Sequence, residues 1–497
     1  MEDKKKLVVI GAGIAGLSAG IYAQRSGFDV TICEQHNITG GMCTSWKRKG
    51  YLFEGAVHWM TGSSPKTQLY QIWKETGALN ENVKVLLPEI FRSVEWDGRI
   101  INLYRDIEKT KEHLLGISPE DKKQIQMLYN DVKAFSCMQM PVYDIKNLKA
   151  KNPKHMSFKA IFKMMPAFPV MGRLIKTSGK NYAEQFKHKG IQLLLRSIIG
   201  DEYSAISLVA TLSTLDIGDG GYPEGGSLGI AKRMTETFTD LGGKLLLTRQ
   251  VKKVIVENGK ACGVALDNGT LAADAVIVTQ ETIAAARLFD PPLSDKWLAN
   301  LVKNTKPTVC TFIGIGIKAD IKQNPIPMWQ LDEPITYAGI TVSDAEFGFN
   351  SYSGYSGYAP EGCTALTAAL MGDTYDFWKK AKDEGRYEEE KQKLADQISR
   401  ILCKKYPQAE GNIEVIDIAT PLTYERYTGA YHGSWMSIVK AGDKMTNYPG
   451  FSESVKSLYF AGHRLMSVGG LPVAVFSGRT AAQMACREFG LMFVNVN

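Results

Sequence analysis

Cysteine is scarce and unorganised in this chain. Eight cysteines (Cys33, Cys43, Cys137, Cys262, Cys310, Cys363, Cys403 and Cys486) are scattered over 497 residues, with no Cys-x-x-Cys pair and no Cys/His grouping at metal-ligand spacing. That pattern excludes a zinc module and a disulfide framework, and it predicts reduced thiols in a cytoplasmic protein with no metal. Long apolar runs are missing too. Residues 4–6 are lysines ahead of an apolar stretch at 7–23, which imitates a signal peptide but has a better explanation below. No other window reaches the roughly 18 uninterrupted apolar residues of a spanning helix, so membrane contact is expected to be peripheral, at the inner face. The net charge of +7 is modest, and no nucleic-acid reader motif accompanies it, so nucleic acid is not expected as a partner. What the chain does have is size and 44% hydrophobic composition, enough for two domains that share an interface.

Leu7-Val8-Val9-Ile10 reads as a buried parallel strand and runs directly into Gly11-Ala12-Gly13-Ile14-Ala15-Gly16, after which a helical pattern continues to Arg25. Gly11 permits the tight turn, Gly13 lets a pyrophosphate approach the backbone, and Gly16 lets the helix pack against the strand. The helix N-terminus, with free amides and a partial positive charge, then faces the phosphates through Ile14 and Ala15. A second strand at 29–33 ends in Glu34, which lies 18 positions beyond Gly16, where a carboxylate grips the adenosine ribose. An acid there repels a 2′-phosphate, so NADP is disfavoured.

Asn37-Ile38-Thr39-Gly40-Gly41-Met42 places a glycine pair just after the acid. This resembles the extended dinucleotide signature of FAD enzymes of the glutathione-reductase-like class. The family pattern often has Arg after that pair, and here it is Met42. A second glycine turn lies near the C-terminus, where a strand at 457–461 is followed by Gly462-His463, then Gly469-Gly470-Leu471-Pro472 and a helical pattern from Val473. In flavoproteins of this class such a turn binds the ribityl-phosphate, and the helix N-terminus points at the flavin edge that becomes negative on reduction. The usual acid there is replaced by His463. A third return comes from Gly220 to Ser227 and the helix at 228–241, followed by strands at 244–248, 251–256, 261–266 and 274–279. It resembles the region where the family pairs the backbone of a residue such as Val251 with adenine.

The order of motifs resembles the phytoene-desaturase-like flavoproteins, the group that includes carotenoid desaturases, carotenoid isomerases and retinol saturases. The specific elements are Gly11 to Glu34 with Gly40-Gly41, Gly-Tyr-Pro-Glu-Gly-Gly at 221–226, Thr-Pro-Leu-Thr-Tyr-Glu-Arg-Tyr at 420–427, and the terminal Gly-Gly-Leu-Pro helix. The resemblance implies an α/β fold with a discontinuous Rossmann-like FAD-binding domain (1–79, 216–290 and 451–497). It also implies a mixed α+β substrate domain (80–215 and 291–450). The implied activity is hydride transfer at flavin N5 to or from C–C or C=C bonds of a hydrophobic polyene, isoprenoid or related lipid. Desaturation, saturation and isomerisation remain open, as does the electron partner.

Few polar groups are candidates for contact with a reacting carbon: His58, close after the glycines, and Tyr431 and His432 in the family-like stretch. Trp59, Tyr222, Tyr424 and Trp435 are candidate walls of an apolar tunnel. Between Lys146 and Lys189 there are eleven Lys or Arg and one acid, Glu184, interleaved with Met156, Phe158, Ile161, Phe162, Met165 and Phe168. Such a mixture suits an interfacial anchor on anionic lipid, although Pro153, Pro166 and Pro169 break any long amphipathic helix. Two other classes share parts of the pattern: an FAD-dependent amine oxidase, which needs an aromatic cage, and a prenyl-binding GDP dissociation inhibitor-like protein, against which the intact glycine set argues.

Overall fold

Alternation along a few short β-branched strands decides the first half of the architecture. The computed structural model describes residues 4–496 apart from 156–157, 306, 343–346, 437–438 and 468. Five parallel strands lie side by side in the order Leu458–Phe460, Ala275–Val278, Lys6–Ile10, Asp29–Cys33 and Lys244–Leu246. Leu7, Val9 and Ile277 face a core shared with the helices Ile14–Arg25, Gly226–Asp240 and Gly470–Phe489. Val8, Ile10, Val276 and Val278 face the other way, onto a three-stranded antiparallel meander of Val251–Glu257, Lys260–Leu266 and Gly269–Ala272. Strands buried on both faces read as unbroken apolar runs, which is how they appear in the sequence.

The two glycine-started helices touch closely. A Cβ at Gly478 would lie 2.2 Å from the Ala15 carbonyl oxygen, and the Ser18 hydroxyl donates to the Val475 carbonyl at 2.7 Å. Elements expected from sequence differ mainly at their ends. The strand expected at 457–461 is three residues long because Ser457 adopts the left-handed conformation (φ 56°), and that expected at 244–248 stops at Leu246. Both expected helices start earlier, at Gly226 and Gly470, because glycine N-caps let the first turns form inside the glycine motifs.

The second half is built on an antiparallel sheet of Asn350–Ser351, Thr364–Met371, Cys310–Ile317 and Ile413–Ala419. Gly314 and Gly316 leave room for the rings of Phe53 and Tyr51, since a Cβ at either position would come within 2.4 Å of its ring. The hairpin Ser45–Arg48 and Tyr51–Glu54, inside the stretch assigned by sequence to the cofactor domain, therefore packs on this sheet. Helices between Ile107 and Asp216 cover a smaller sheet of Ile90–Trp96, Arg99–Tyr104 and Met328–Trp329.

The basic segment divides in two. Its first part is docked: Lys151 N–H donates to the Phe493 carbonyl at 2.9 Å, and Lys154 pairs with buried Glu75 at 2.7 Å. Its second part forms two short helices, Phe158–Met164 and Ala167–Leu174, interrupted near Pro166. Met156 lies outside the described residues. Among the described residues no helix is long and apolar enough to cross a membrane.

Candidate active site

The turn after the first strand is shaped by contacts that tolerate no side chain. A Cβ at Gly16 would lie 1.9 Å from the Gly11 carbonyl oxygen, and Gly11 itself has φ 100° with its N–H bonded to the Cys33 carbonyl. Gly13 forms a parallel bridge to Gly40, whose N–H donates to the Ala12 carbonyl at 2.9 Å. Gly41 lies on Gly13, where a Cβ would sit 3.2 Å from the Gly13 Cα. Both glycine segments thus form one surface. The helix Ile14–Arg25 opens on that surface with no side-chain cap and no acid in its first turn, and so does Gly470–Phe489, which begins with Leu471, Pro472 and Val473. Free amides at two converging N-termini suit the phosphates of a dinucleotide.

Glu34 is buried at one end of this cradle. Its Oε2 accepts the Ala12 N–H at 2.7 Å and its Oε1 the His36 N–H at 2.8 Å. Burial raises its pKa, and those two N–H groups work against the shift. Spare lone pairs on both oxygens leave it able to accept sugar hydroxyls. Thr248 and Arg249 bond the backbone of His36 and Glu34, which brings Val251, two residues further on, to this same end. The edge-on ring contact between Tyr427 and His36 carries the 421–433 segment here as well.

Tyr431 and His432 lie in that segment, away from His58. Tyr431 N–H donates to Glu281 at 3.3 Å, and the His432 ring is stacked against Tyr375 and Tyr431 at 4.1 and 3.9 Å. Among the described residues no hydrogen bond or ring contact joins them to His58, so the three sequence candidates do not form one constellation. Glu281 instead meets Arg464 at 3.0 Å, and Arg464 donates to the Ser434 hydroxyl. Neither residue was foreseen, because their partners are far apart in the chain. His463, beside Arg464, is held neutral by burial and by the neighbouring guanidinium, its pKa pushed down to about 3. Gly462 N–H is taken by the Ser477 hydroxyl at 2.9 Å.

At the other side of the cradle the surroundings turn apolar. Met42, directly after the glycine pair, packs into a cluster of Cys310, Phe312, Ala419 and Tyr424 with Trp46, Met371 and Trp435. The Tyr424 hydroxyl is buried there beside the Cys310 thiol, with no nitrogen or oxygen partner among the described residues. Trp435 is fixed by its N–H to the Thr308 carbonyl at 2.7 Å. Tyr222, grouped with these by sequence, is placed differently. Its hydroxyl donates to Glu54 at 2.8 Å, and the Ser227 N–H donates to the same carboxylate at 3.0 Å. The Tyr358 hydroxyl joins them, so Tyr222 tethers the Tyr-Pro-Glu-Gly-Gly loop to a fully buried carboxylate. A Cβ at Gly226 would collide with all three oxygens, which accounts for the glycine there. His58 and Trp59 are half-buried, with Trp59 edge-on to Phe91 at 5.4 Å. Burial, aided by the charge of Arg92, pushes the His58 pKa down to about 4.

The pattern of flavin-containing amine oxidoreductases matches residues 14–486. The chain belongs to that family. This flavin-containing oxidoreductase is an FAD-dependent enzyme, and its cradle fits the cofactor: side-chain-free glycines, two uncapped helix ends and an acid at the sugar end. It is similar to the chloroplastic prolycopene isomerase of Daucus carota, 25% identical over 97% of this chain and 80% of that one. It is also similar to the 4,4'-diapophytoene desaturase of a Methylomonas species, 23% identical over 100% and 98%. Cyclohexylamine oxidase from Brevibacterium oxydans shares its fold, with a TM-score of 0.59 at 14% identity over 98% of this chain and 100% of that one.

Proposed function

We propose that this enzyme acts on the C–C or C=C bonds of a hydrophobic polyene, isoprenoid or related lipid, in the apolar cluster that Met42 shares with Tyr424 and Trp435. In this reading Glu34 would accept the adenosine ribose hydroxyls of FAD, Val251 would meet the adenine, and Gly11, Gly13, Ile14, Ala15, Gly16, Gly40 and Gly41 would frame the phosphates. Gly462, His463, Gly470, Leu471, Pro472 and Val473 close the far side. The bound cofactor supplies hydride chemistry at flavin N5.

Met42 carries the argument. Where the related pattern often has a cation reaching back to the cofactor, this chain has a thioether packed on Phe312 and Tyr424, so the cofactor loop is continuous with a greasy wall. Names of relatives point the same way, since prolycopene and diapophytoene are polyenes. Tyr424 brings into that wall a hydroxyl whose neighbour is the weakly accepting Cys310 thiol, able to donate to a substrate atom. His58, neutral at pH 7, can accept a proton at an imidazole nitrogen but carries none to release as imidazolium. The cytoplasmic site and a peripheral contact through the second half of the basic segment complete the proposal.

The test is product analysis. FAD-loaded enzyme is incubated anaerobically with phytoene or prolycopene in liposomes, with and without an added electron acceptor or reductant, and in parallel with aliphatic amines in air. A shifted double bond without electron turnover assigns an isomerase, a longer conjugated system a desaturase, and a shorter one a saturase. Peroxide released with amines, and unchanged polyenes, would replace this function with amine oxidation.

A further inference from the structure

Arg92 stands apart from the other arginines withdrawn from solvent. Arg105 donates to the carbonyls of Pro88, Asp219 and Gly220, Arg233 to those of Ala78 and Glu224, Arg479 pairs with Asp144, and Arg464 meets Glu281. Arg92 has no hydrogen bond and no carboxylate among the described residues, and its Nε is fully shielded from solvent. Asp219, which accepts from Gly62, Ser63 and Ser64, and Asp216, which holds Lys133 and the Ile107 N–H, are engaged elsewhere. A guanidinium does not shed its proton, so one that is partly desolvated and has no carboxylate partner gains by meeting an anion.

The surroundings say what kind of anion. Arg92 sits on the strand Ile90–Trp96 of the substrate half, close enough to His58 for its charge to act on the imidazole. Phe91 and Trp59 meet edge-on beside them, and Trp59 lies against the Gly220 backbone. All four side chains keep partial exposure. Two aromatic walls with a single unpaired cation and a neutral imidazole make a receptor for an apolar chain ending in one negative group.

We propose that Arg92, assisted by His58, binds the carboxylate terminus of the substrate, so the enzyme acts on an acidic polyene or unsaturated acid in preference to a neutral hydrocarbon. This deepens the lipid function proposed above and rests on it for the polyene part. Arg92 is here a specificity-determining residue.

The experiment compares acid and alcohol pairs of the same skeleton, all-trans-retinoic acid against retinol and oleate against oleyl alcohol, by fluorescence titration of the FAD-loaded enzyme. Wild type is expected to bind the acid of a pair about 30-fold more tightly or better, the scale of a shielded charge pair. R92M is expected to abolish that preference, and R92K to keep part of it, with FAD content and melting temperature confirming that the variants fold. A preference seen with oleate but not with retinoids supports the Arg92 site while rejecting a polyene substrate. Equal binding of acid and alcohol by wild type in both pairs overturns the proposal. So does a preference that survives R92M, or an R92M effect confined to the flavin reduction potential.

Discussion

Glu34 and the half-buried histidines His58 and His463 are the residues on which the chemistry of the site turns. Replacing Glu34 by Gln keeps its size but leaves a neutral acceptor for only one of the Ala12 and His36 N–H groups, sets an NH2 donor against the other, and gives the ribose a weaker acceptor. Hydrogen bonds to a charged group are worth about 1.5–3 kcal/mol, so E34Q is expected to weaken FAD binding about tenfold or more, measured by fluorescence titration of the apoprotein. Affinity within twofold (roughly 0.4 kcal/mol) of wild type would remove Glu34 from the sugar site. His58 and His463 have depressed pKa values, about 4 and about 3, against about 6.5 in the unfolded chain. Between those limits the unfolded state binds protons that the native state does not. Their contribution is therefore present above pH 6.5 and lost as the pH falls, by up to about 2 kcal/mol for each histidine at pH 5. Chemical denaturation between pH 7 and 5 checks this: H58Q and H463Q are each expected to flatten the decline, and a slope unchanged in both would show that neither imidazole is buried neutral.

At the scale of elements, the helices Phe158–Met164 and Ala167–Leu174 and the turn between them present Phe162, Met165 and Phe168 at 70%, 54% and 43% exposure beside exposed Lys159 and Lys163. Greasy side chains with ammonium groups at their margins suit the boundary of an anionic bilayer. Co-sedimentation with anionic vesicles is expected to fall severalfold on the triple change F162S/M165S/F168S and on raising the salt, with FAD content unchanged. Equal sedimentation of the variant would end the anchor hypothesis. The same elements mark what sequence could and could not convey. Gly11 to Glu34 was legible because turn, helix and acid act within one strand-helix-strand unit, where local periodicity carries the information. Sequence grouped Tyr222 with the cavity walls and could not show that its hydroxyl is tied to Glu54, 168 positions away, a pairing that no local pattern encodes. Met42 was visible only as a missing Arg. Its apolar partners, Cys310, Phe312 and Tyr424, meet it through the tertiary fold. Likewise, His58, Tyr431 and His432 were similar in kind, and only the fold separates them.

For the whole molecule, three stretches of chain build one sheet, and residues from its two ends meet where Gly478 rests on Ala15. The hairpin at 45–54 and the 421–433 segment lie across the two halves, so cofactor and substrate regions share elements instead of meeting at a simple linker. The central claim is that distant glycine turns close on a single FAD. Hydrogen exchange followed by mass spectrometry, comparing apoprotein with FAD-loaded protein, tests it directly. The account predicts that FAD slows exchange together in 11–16, 34–42, 246–251 and 462–475. Protection confined to the first of these, with the C-terminal turn exchanging as in the apoprotein, would contradict it.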